Sequence, residues 1–229
     1  MSIFKTYQRE IAGTYIIKLR NNVASEEMAK RCMDSCKAVG QKNAEYFTAV
    51  DGTGGQLRID RQSEMYLGGI KTSTGKLTSS EYGCFLSHVL LWRKCAEMDA
   101  PIVILEHDAV MLNSFNEFPF YNCVFYLGNE SHEQFKSSPP GLVTAPGRCT
   151  EFVQTGENTE KIPCRFYMDR THAYAIDSIV ARRLLSKVYA MGIVEAADSF
   201  VTFEEFCIMT PVPFAATVVA GVNTIDHSG

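Results

Sequence analysis

The stretch Ile102-Val103-Ile104-Leu105-Glu106-His107-Asp108 decides how the whole chain is read. Four apolar residues, two of them Ile and one Val, follow Pro101 and stop abruptly at acids. Such a run reads as a fully buried strand of a parallel sheet. Open α/β sheets place ligand-binding groups beyond the carboxyl ends of their strands, which is where Glu106 and Asp108 fall. Two apart on extended backbone, their side chains are expected to point the same way, with His107 facing opposite. An acid pair of this kind is a hard-oxygen site for Mg²⁺ or Mn²⁺ and, through the ion, for a diphosphate. The bland alternative is a strand that ends in two solvated acids.

Upstream, Thr78-Ser79-Ser80-Glu81 has the form of a capping box opening a helix. Cys84, Phe85, His88, Val89, Leu91, Trp92, Cys95 and Met98 give that helix a buried stripe, and Ala100-Pro101 ends it. Gly83 inside it costs up to ~1 kcal/mol against Ala, so a close approach of backbone or ligand is expected there. Nearer the start, Thr14 to Leu19 reads as a strand, Ser25 as the N-cap of a helix with Glu26 and Glu27 in its first turn, and Gly40 as its stop. Glu45 to Val50 reads as the next strand, completing a βαβ unit with a right-handed crossover. Asp51-Gly52-Thr53-Gly54-Gly55 lacks the Lys-Ser/Thr ending of a P-loop and reads as a turn. It opens a flexible excursion over about 53–77.

Downstream, Cys123 to Leu127 reads as a buried strand and residues 129–163 as an insertion, loop or small hairpin. Arg165 to Met168 and His172 to Ile176 read as strands around an Asp169-Arg170 turn. Asp177 or Ser178 is expected to cap a helix running to Gly192. Phe200 to Met209 reads as helical, with Pro211 and Pro213 breaking it, and Phe214 to Ala220 as a last strand.

The 229 residues fit a single domain over 1–229 and are enough to bury a sizeable core. A net charge of -4 gives no general pull toward nucleic acid or anionic membranes. No early segment has the form of a signal peptide, and no apolar run approaches the ~18 residues of a membrane span, so a cytoplasmic protein without a transmembrane segment is expected. The eight cysteines include no C-x-x-C and are expected to be reduced. Cys32 and Cys36, at i and i+4, have no second ligand pair and read as core residues.

Several of these residues together resemble glycosyltransferase family 25, the group of bacterial lipooligosaccharide galactosyltransferases and related collagen-modifying enzymes. The resemblance begins at Tyr15-Ile16-Ile17-Lys18-Leu19 and continues at Phe47-Thr48-Ala49-Val50-Asp51-Gly52, similar to the family's "AVDG" segment. The most specific stretch is Leu77 to His88, LTSSEYGCFLSH, followed at the family's spacing by Ile104-Leu105-Glu106-His107-Asp108. Thr171-His172-Ala173-Tyr174 with Ala181 and Leu184-Leu185 resembles a further family segment, and Asp198 takes the place of its downstream Asp. His107 stands where the family usually has a second acid, and Arg20-Asn21-Asn22 departs from its usual Asp and additional Arg.

The resemblance implies an α/β fold of the glycosyltransferase-A-like type, with a mainly parallel central sheet flanked by helices. It implies a nucleotide-sugar donor, UDP-galactose or UDP-glucose, and a hydroxyl acceptor: a glycan in first place, with a protein hydroxyl or hydroxymethylated DNA base as alternatives. Glu106 and Asp108 would hold Mn²⁺ or Mg²⁺. Ala49, Asp51, Gly52, Gly83, Ser87 and His88 would form the donor site. Asp198 would act as general base in an inverting displacement, with Glu81 near the donor; Glu195, Glu204 and Glu205 are rivals for the base. The bland readings are a capping role for Glu81, a core role for His88 and a capping role for Asp198. Arg165, Arg170, Arg182, Arg183 and Lys187 are candidate cationic partners of the diphosphate, the last three also reading as a solvated helix face. His227 reads as a residue of a solvated tail; the resemblance allows the alternative that a closing tail brings it to the metal. A metal-dependent phosphohydrolase and a non-catalytic sugar-nucleotide-binding module are the readings from other classes.

Overall fold

A computed structural model describes residues 8–53, 57, 58, 70, 77–128, 141–144, 147–149, 166–168 and 170–218. In chain order the elements are β1 (Arg9–Glu10), β2 (Gly13–Lys18), α1 (Val23–Ala38), β3 (Ala44–Thr48), α2 (Ser79–Met98), β4 (Ile102–Glu106), β5 (Ala109–Met111), β6 (Glu117–Phe118) and β7 (Cys123–Tyr126). They continue with β8 (Gly141–Thr144), β9 (Gly147–Cys149), β10 (Phe166–Met168), β11 (Ala173–Ile176), α3 (Ser178–Met191), α4 (Ala197–Phe200), β12 (Cys207–Val212) and β13 (Ala216–Val218).

The central sheet has seven strands in the order β3-β2-β4-β11-β7-β12-β8. β3, β2 and β4 are mutually parallel, and β12 is parallel to β7. β11 is inserted antiparallel between β4 and β7, and β8 closes the edge antiparallel to β12. Five strands therefore share one direction and two oppose it, so the α/β expectation with a mainly parallel sheet holds.

Alternation along the strands builds two cores. Tyr15, Ile17, Ile102, Ile104, Val124, Tyr126, Tyr174 and Ile176 pack on one face with Phe85, Leu91 and Trp92 of α2, Leu184 of α3 and Phe200 of α4. Ile16, Val103, Leu105, Phe125, Leu127, Ala173 and Ala175 pack on the other with Ala29, Cys32 and Cys36 of α1. Residues 102–105 are completely buried, as the apolar run predicts. Fully burying each such side chain is worth roughly 1.5–3 kcal/mol, so β4 is held from both faces.

The capping box forms as expected: Thr78 Oγ1 accepts from the Glu81 N–H, and Glu81 Oε2 accepts from the Thr78 N–H at 2.8 Å. Other boundaries differ. α1 is capped by Asn22, whose Oδ1 accepts from the Ser25 N–H, not by Ser25 itself. Ser25 lies inside the helix, where its Oγ accepts from the Leu19 N–H at 2.9 Å and so ties β2 to α1. Met98 is 40% exposed and falls outside the buried stripe. Of the helix expected over 200–209 only Phe200 is helical, as the last residue of the short helix Ala197–Phe200, and Cys207–Val212 is a strand. Its ladder with β7 over 207–209 requires extended backbone, and Pro211 follows in the ladder with β8 rather than breaking a helix. β10 and β11 do not pair with each other: β10 pairs with β9, and β11 with β4 and β7. Asp177 is the cap of α3, accepting from the Val180 N–H at 2.9 Å.

Cys32, Cys36, Cys84, Cys95, Cys123 and Cys207 are free thiols. Among the described residues no helix is long and apolar enough to cross a membrane. Most of the excursion at 53–77, most of the insertion at 129–163, Gly54, Gly55, Arg165 and His227 lie outside the described residues.

Candidate functional site

Glu106 continues the even register of Ile102 and Ile104 and so emerges on the face covered by α2. There its Oε1 accepts from Thr171 Oγ1 at 2.6 Å and lies 3.4 Å from His88 Nε2. His88 is itself completely buried on α2, and its Nδ1 is 2.9 Å from the Tyr174 hydroxyl. Burial works to raise the Glu106 carboxyl, but His88, Thr171 and His172 outweigh it and hold the group well below the usual carboxylate range. Glu106 is therefore ionised at neutral pH.

The segment after β3 is pressed onto the start of α2. The Val50 N–H donates to Ser87 Oγ at 2.9 Å, and the Ser87 hydroxyl donates to the Gly83 carbonyl at 2.7 Å. Gly52 and Gly83 meet at this contact: a Cβ on Gly83 would lie 2.7 Å from the Val50 carbonyl oxygen and 2.8 Å from the Gly52 nitrogen. A Cβ on Gly52 would lie 1.8 Å from the Ser79 carbonyl oxygen. The close approach expected at Gly83 is thus backbone against backbone. Asp51 accepts from the Thr53 N–H and hydroxyl and pairs with Arg58 at 3.5 Å.

These elements border a cleft at the carboxyl ends of β2, β3 and β4. Ala49, Gly52, Cys84, Ser87, His88, Glu106 and His107 line it. It shares Leu19, Ala49, Val50 and Thr53 with an adjoining cleft of about 370 Å³, which Arg20, Asn22, Asp51 and Arg58 also line. The sequence-derived residues Ala49, Gly52, Ser87, His88 and Glu106 are thus brought together, with Asp51 next door. Glu81, Gly83, Asp108 and Asp198 border neither cleft.

β4 ends at Glu106, and His107 and Asp108 occupy a turn before β5. The strict alternation expected to align Glu106 with Asp108 therefore stops at Glu106. The Ser25 hydroxyl, which accepts from the Leu19 N–H, also makes a hydrogen bond with His107 Nδ1 at 3.3 Å. Burial pushes His107 below the ordinary imidazole value against the pull of Glu106. Its ring still borders the cleft. Asp198 lies in the first turn of α4, whose cap is Ala196, so the expected capping role is not the one it plays. Its Oδ1 accepts instead from the Ser199 N–H at 2.7 Å.

Cys84 reports how these acids add up. Burial raises its thiol well above the ordinary value, and Glu106, Asp198, Asp108 and Glu81 raise it further. Four acids from α2, β4, the turn after it and α4 act on one thiol. Such a field favours a cation, and carboxylate oxygens suit Mg²⁺ or Mn²⁺. The residues therefore fit a divalent ion. Among the described residues, the ligand-type atoms of Cys84, His88 and Glu106 lie within 4.8 Å of one another; Asp108 is not in that group.

The cationic candidates on α3 are otherwise engaged. Arg182 pairs with Asp99 at 2.8 Å, Arg183 donates to Asn122 Oδ1, and Lys187 pairs with Glu205 at 2.6 Å. Thr171, Tyr174 and Trp92 are site-supporting residues; the sequence reading named the first two only within a family segment and Trp92 only as a core residue. The signal available for Trp92 was its i+4 spacing from His88, which puts both on one helix face.

Comparison with known proteins adds three findings. The family model described as "Glycosyltransferase family 25 (LPS biosynthesis protein)" matches residues 12–201. A lipooligosaccharide biosynthesis protein, lic2B of Haemophilus influenzae, is 46% identical over 37 residues, which are 16% of this chain and 14% of that protein. A crystal structure of an active-site mutant of LgtC superposes with a TM-score of 0.44 at 10% identity, covering 92% of this chain and 88% of the other.

Proposed function

Because the chain belongs to glycosyltransferase family 25, we propose that it moves a hexose from a UDP-galactose or UDP-glucose type donor to a hydroxyl of a lipooligosaccharide or related glycan. The observation that carries this reading is Glu106, set beside His88 and Cys84 in a cleft at the carboxyl ends of parallel strands. A glycosyltransferase-A-like arrangement fits this placement. The adjoining cleft of about 370 Å³ is of the size that holds a small ligand such as a nucleoside. The name of the lic2B relative supports the glycan over a protein hydroxyl or a modified DNA base, and the net charge of -4 gives DNA no general attraction.

In this reading the acceptor oxygen attacks the anomeric carbon as the bond from that carbon to the diphosphate breaks, with inversion. Asp198 takes the acceptor hydroxyl's proton, and UDP leaves. Glu106 and Asp108 would hold Mn²⁺ or Mg²⁺, which supplies Lewis-acid charge at the leaving diphosphate. Glu81 adds to the anionic field while closing the capping box. The pressed contact between Gly52 and Gly83 fixes Ala49 to Gly52 along the donor.

Asp108→Asn tests the donor site. The change keeps size and removes the charge a divalent ion needs. UDP-sugar affinity in Mn²⁺, read by calorimetry, should fall about tenfold or more, roughly 1.4 kcal/mol. Unchanged affinity in the folded variant sinks the assignment of Asp108. His107→Asp, which restores the family's usual acid, should fold and retain or improve donor turnover. Losing the bond to Ser25 should cost about 1 kcal/mol of stability in thermal melts. A folded variant that is inert and has lost its metal would make His107 a ligand.

A further inference from the structure

His88 Nε2 poses a choice that the surrounding hydrogen bonds resolve. The atom is buried and meets no acceptor in full hydrogen-bond geometry; Glu106 Oε1 lies 3.4 Å from it, and Cys84 is within reach as well. With a lone pair it would be a third metal ligand. With a proton it is a donor to Glu106. Which it is depends on the other ring nitrogen, since a neutral imidazole has one donor and one acceptor.

That nitrogen faces Tyr174. The Tyr174 hydroxyl is completely buried and has two partners among the described residues, Trp92 Nε1 at 2.8 Å and His88 Nδ1 at 2.9 Å. Indole N–H is a donor only, so it takes an oxygen lone pair. The hydroxyl proton then has His88 Nδ1 as its one acceptor, because a buried O–H without an acceptor is costly. Nδ1 is thereby an acceptor and the ring proton sits on Nε2, the nitrogen 3.4 Å from Glu106 Oε1.

Glu106 shows the same one-sidedness. Thr171 Oγ1 and His88 Nε2 both address Oε1, and Oε2 has no partner among the described residues. The side chain keeps 21% of its surface exposed and lines the cleft.

Resting on the donor-site reading above, we propose that Trp92 and Tyr174 fix His88 as an Nε2–H donor. His88 and Thr171 then clamp Glu106 Oε1 and leave Oε2 as the atom offered to the donor's divalent ion. His88 is a positioning residue and not a metal ligand. The arrangement follows from the fold: His88 and Trp92 are one turn apart on α2, and β11, which carries Tyr174, is paired directly to the strand carrying Glu106.

The direct test is the tautomer of His88 in the unliganded protein labelled with ¹⁵N-histidine, read from long-range ¹H–¹⁵N correlations near neutral pH. Single substitutions of the other histidines assign its signals. A proton on Nε2 with a bare Nδ1 is expected. A proton on Nδ1, or on both nitrogens, overturns the proposal whatever the enzyme does. The second test uses metal-dependent UDP-sugar affinity. His88→Gln places an amide N–H near the position of Nε2, whereas His88→Asn places its amide near Nδ1, out of reach of Glu106. The Gln variant should bind about tenfold more tightly than the Asn variant. Equal loss in both, with both folded, overturns the clamp and makes His88 a ligand. Failure of the wild-type chain to bind any UDP-sugar overturns the donor-site reading instead, and the tautomer measurement stands apart from it.

Discussion

An Asp198→Asn protein should bind UDP-sugar as the wild type does and transfer the sugar roughly 10²–10⁴ times more slowly, the usual contribution of general-base catalysis. Asn keeps the acceptor oxygen that the Ser199 N–H uses, so α4 should keep its first turn and thermal stability should change little. What is lost is the capacity to take a proton. The measurement is turnover at saturating donor and acceptor, beside donor affinity by calorimetry. Near-normal turnover in the folded variant moves the role to another acid. Glu205 is a poor successor, because Lys187 and Thr202 already hold its Oε2. Glu195 and Glu204 would then be tested in turn.

Replacing Gly52 with Ala should destabilise the protein by about 2–3 kcal/mol, at the upper end for an overpacked site. The added methyl would sit 1.8 Å from the Ser79 carbonyl oxygen, and neither backbone can yield as a flexible side chain does. The segment from Val50 to Gly52 must lift off α2, straining the bond from Val50 to Ser87. For a chain of this size the melting temperature should fall by roughly 4–12 °C. Donor affinity should fall with it, since Ala49 and Val50 line both clefts. If donor affinity falls while the melting temperature stays put, Gly52 serves a ligand's approach and not the packing of backbone on backbone.

Where sequence and structure agree, local pattern and burial point the same way. Ile102 to Leu105 could only be an interior strand, and Thr78 with Glu81 could only open a helix, because both signals are complete within a few residues. Ser25 misled because Glu26 and Glu27 imitate a first helical turn behind it. The hydroxyl is wanted elsewhere, by the Leu19 N–H, and Asn22 takes the cap. Phe200, Phe203 and Phe206, three apart, imitate a helix face that the ladder with β7 overrides just beyond them.

The site was legible as separate parts. Glu106, His88 and Ser87 each stood out, but nothing in the sequence says that Glu106 turns onto His88. That contact depends on β11 lying beside β4, and its supporting hydroxyls on Thr171 and Tyr174 come from far along the chain. Ser87 turned out to hold backbone, its hydroxyl spent between Val50 and Gly83.

The insertion of β11 between β4 and β7 also sets when the site can exist during synthesis. β2, α1, β3, α2 and β4 are all synthesised before Thr171 and Tyr174. Until then β4 has an unpaired edge, and Glu106 has neither Thr171 nor an oriented His88 beside it. Closing that edge joins residues distant in sequence, which is slow relative to local structure. The acidic cleft is thus among the last parts of the molecule to become ordered, and a nascent chain cannot present its carboxylates in working order ahead of the rest of the sheet.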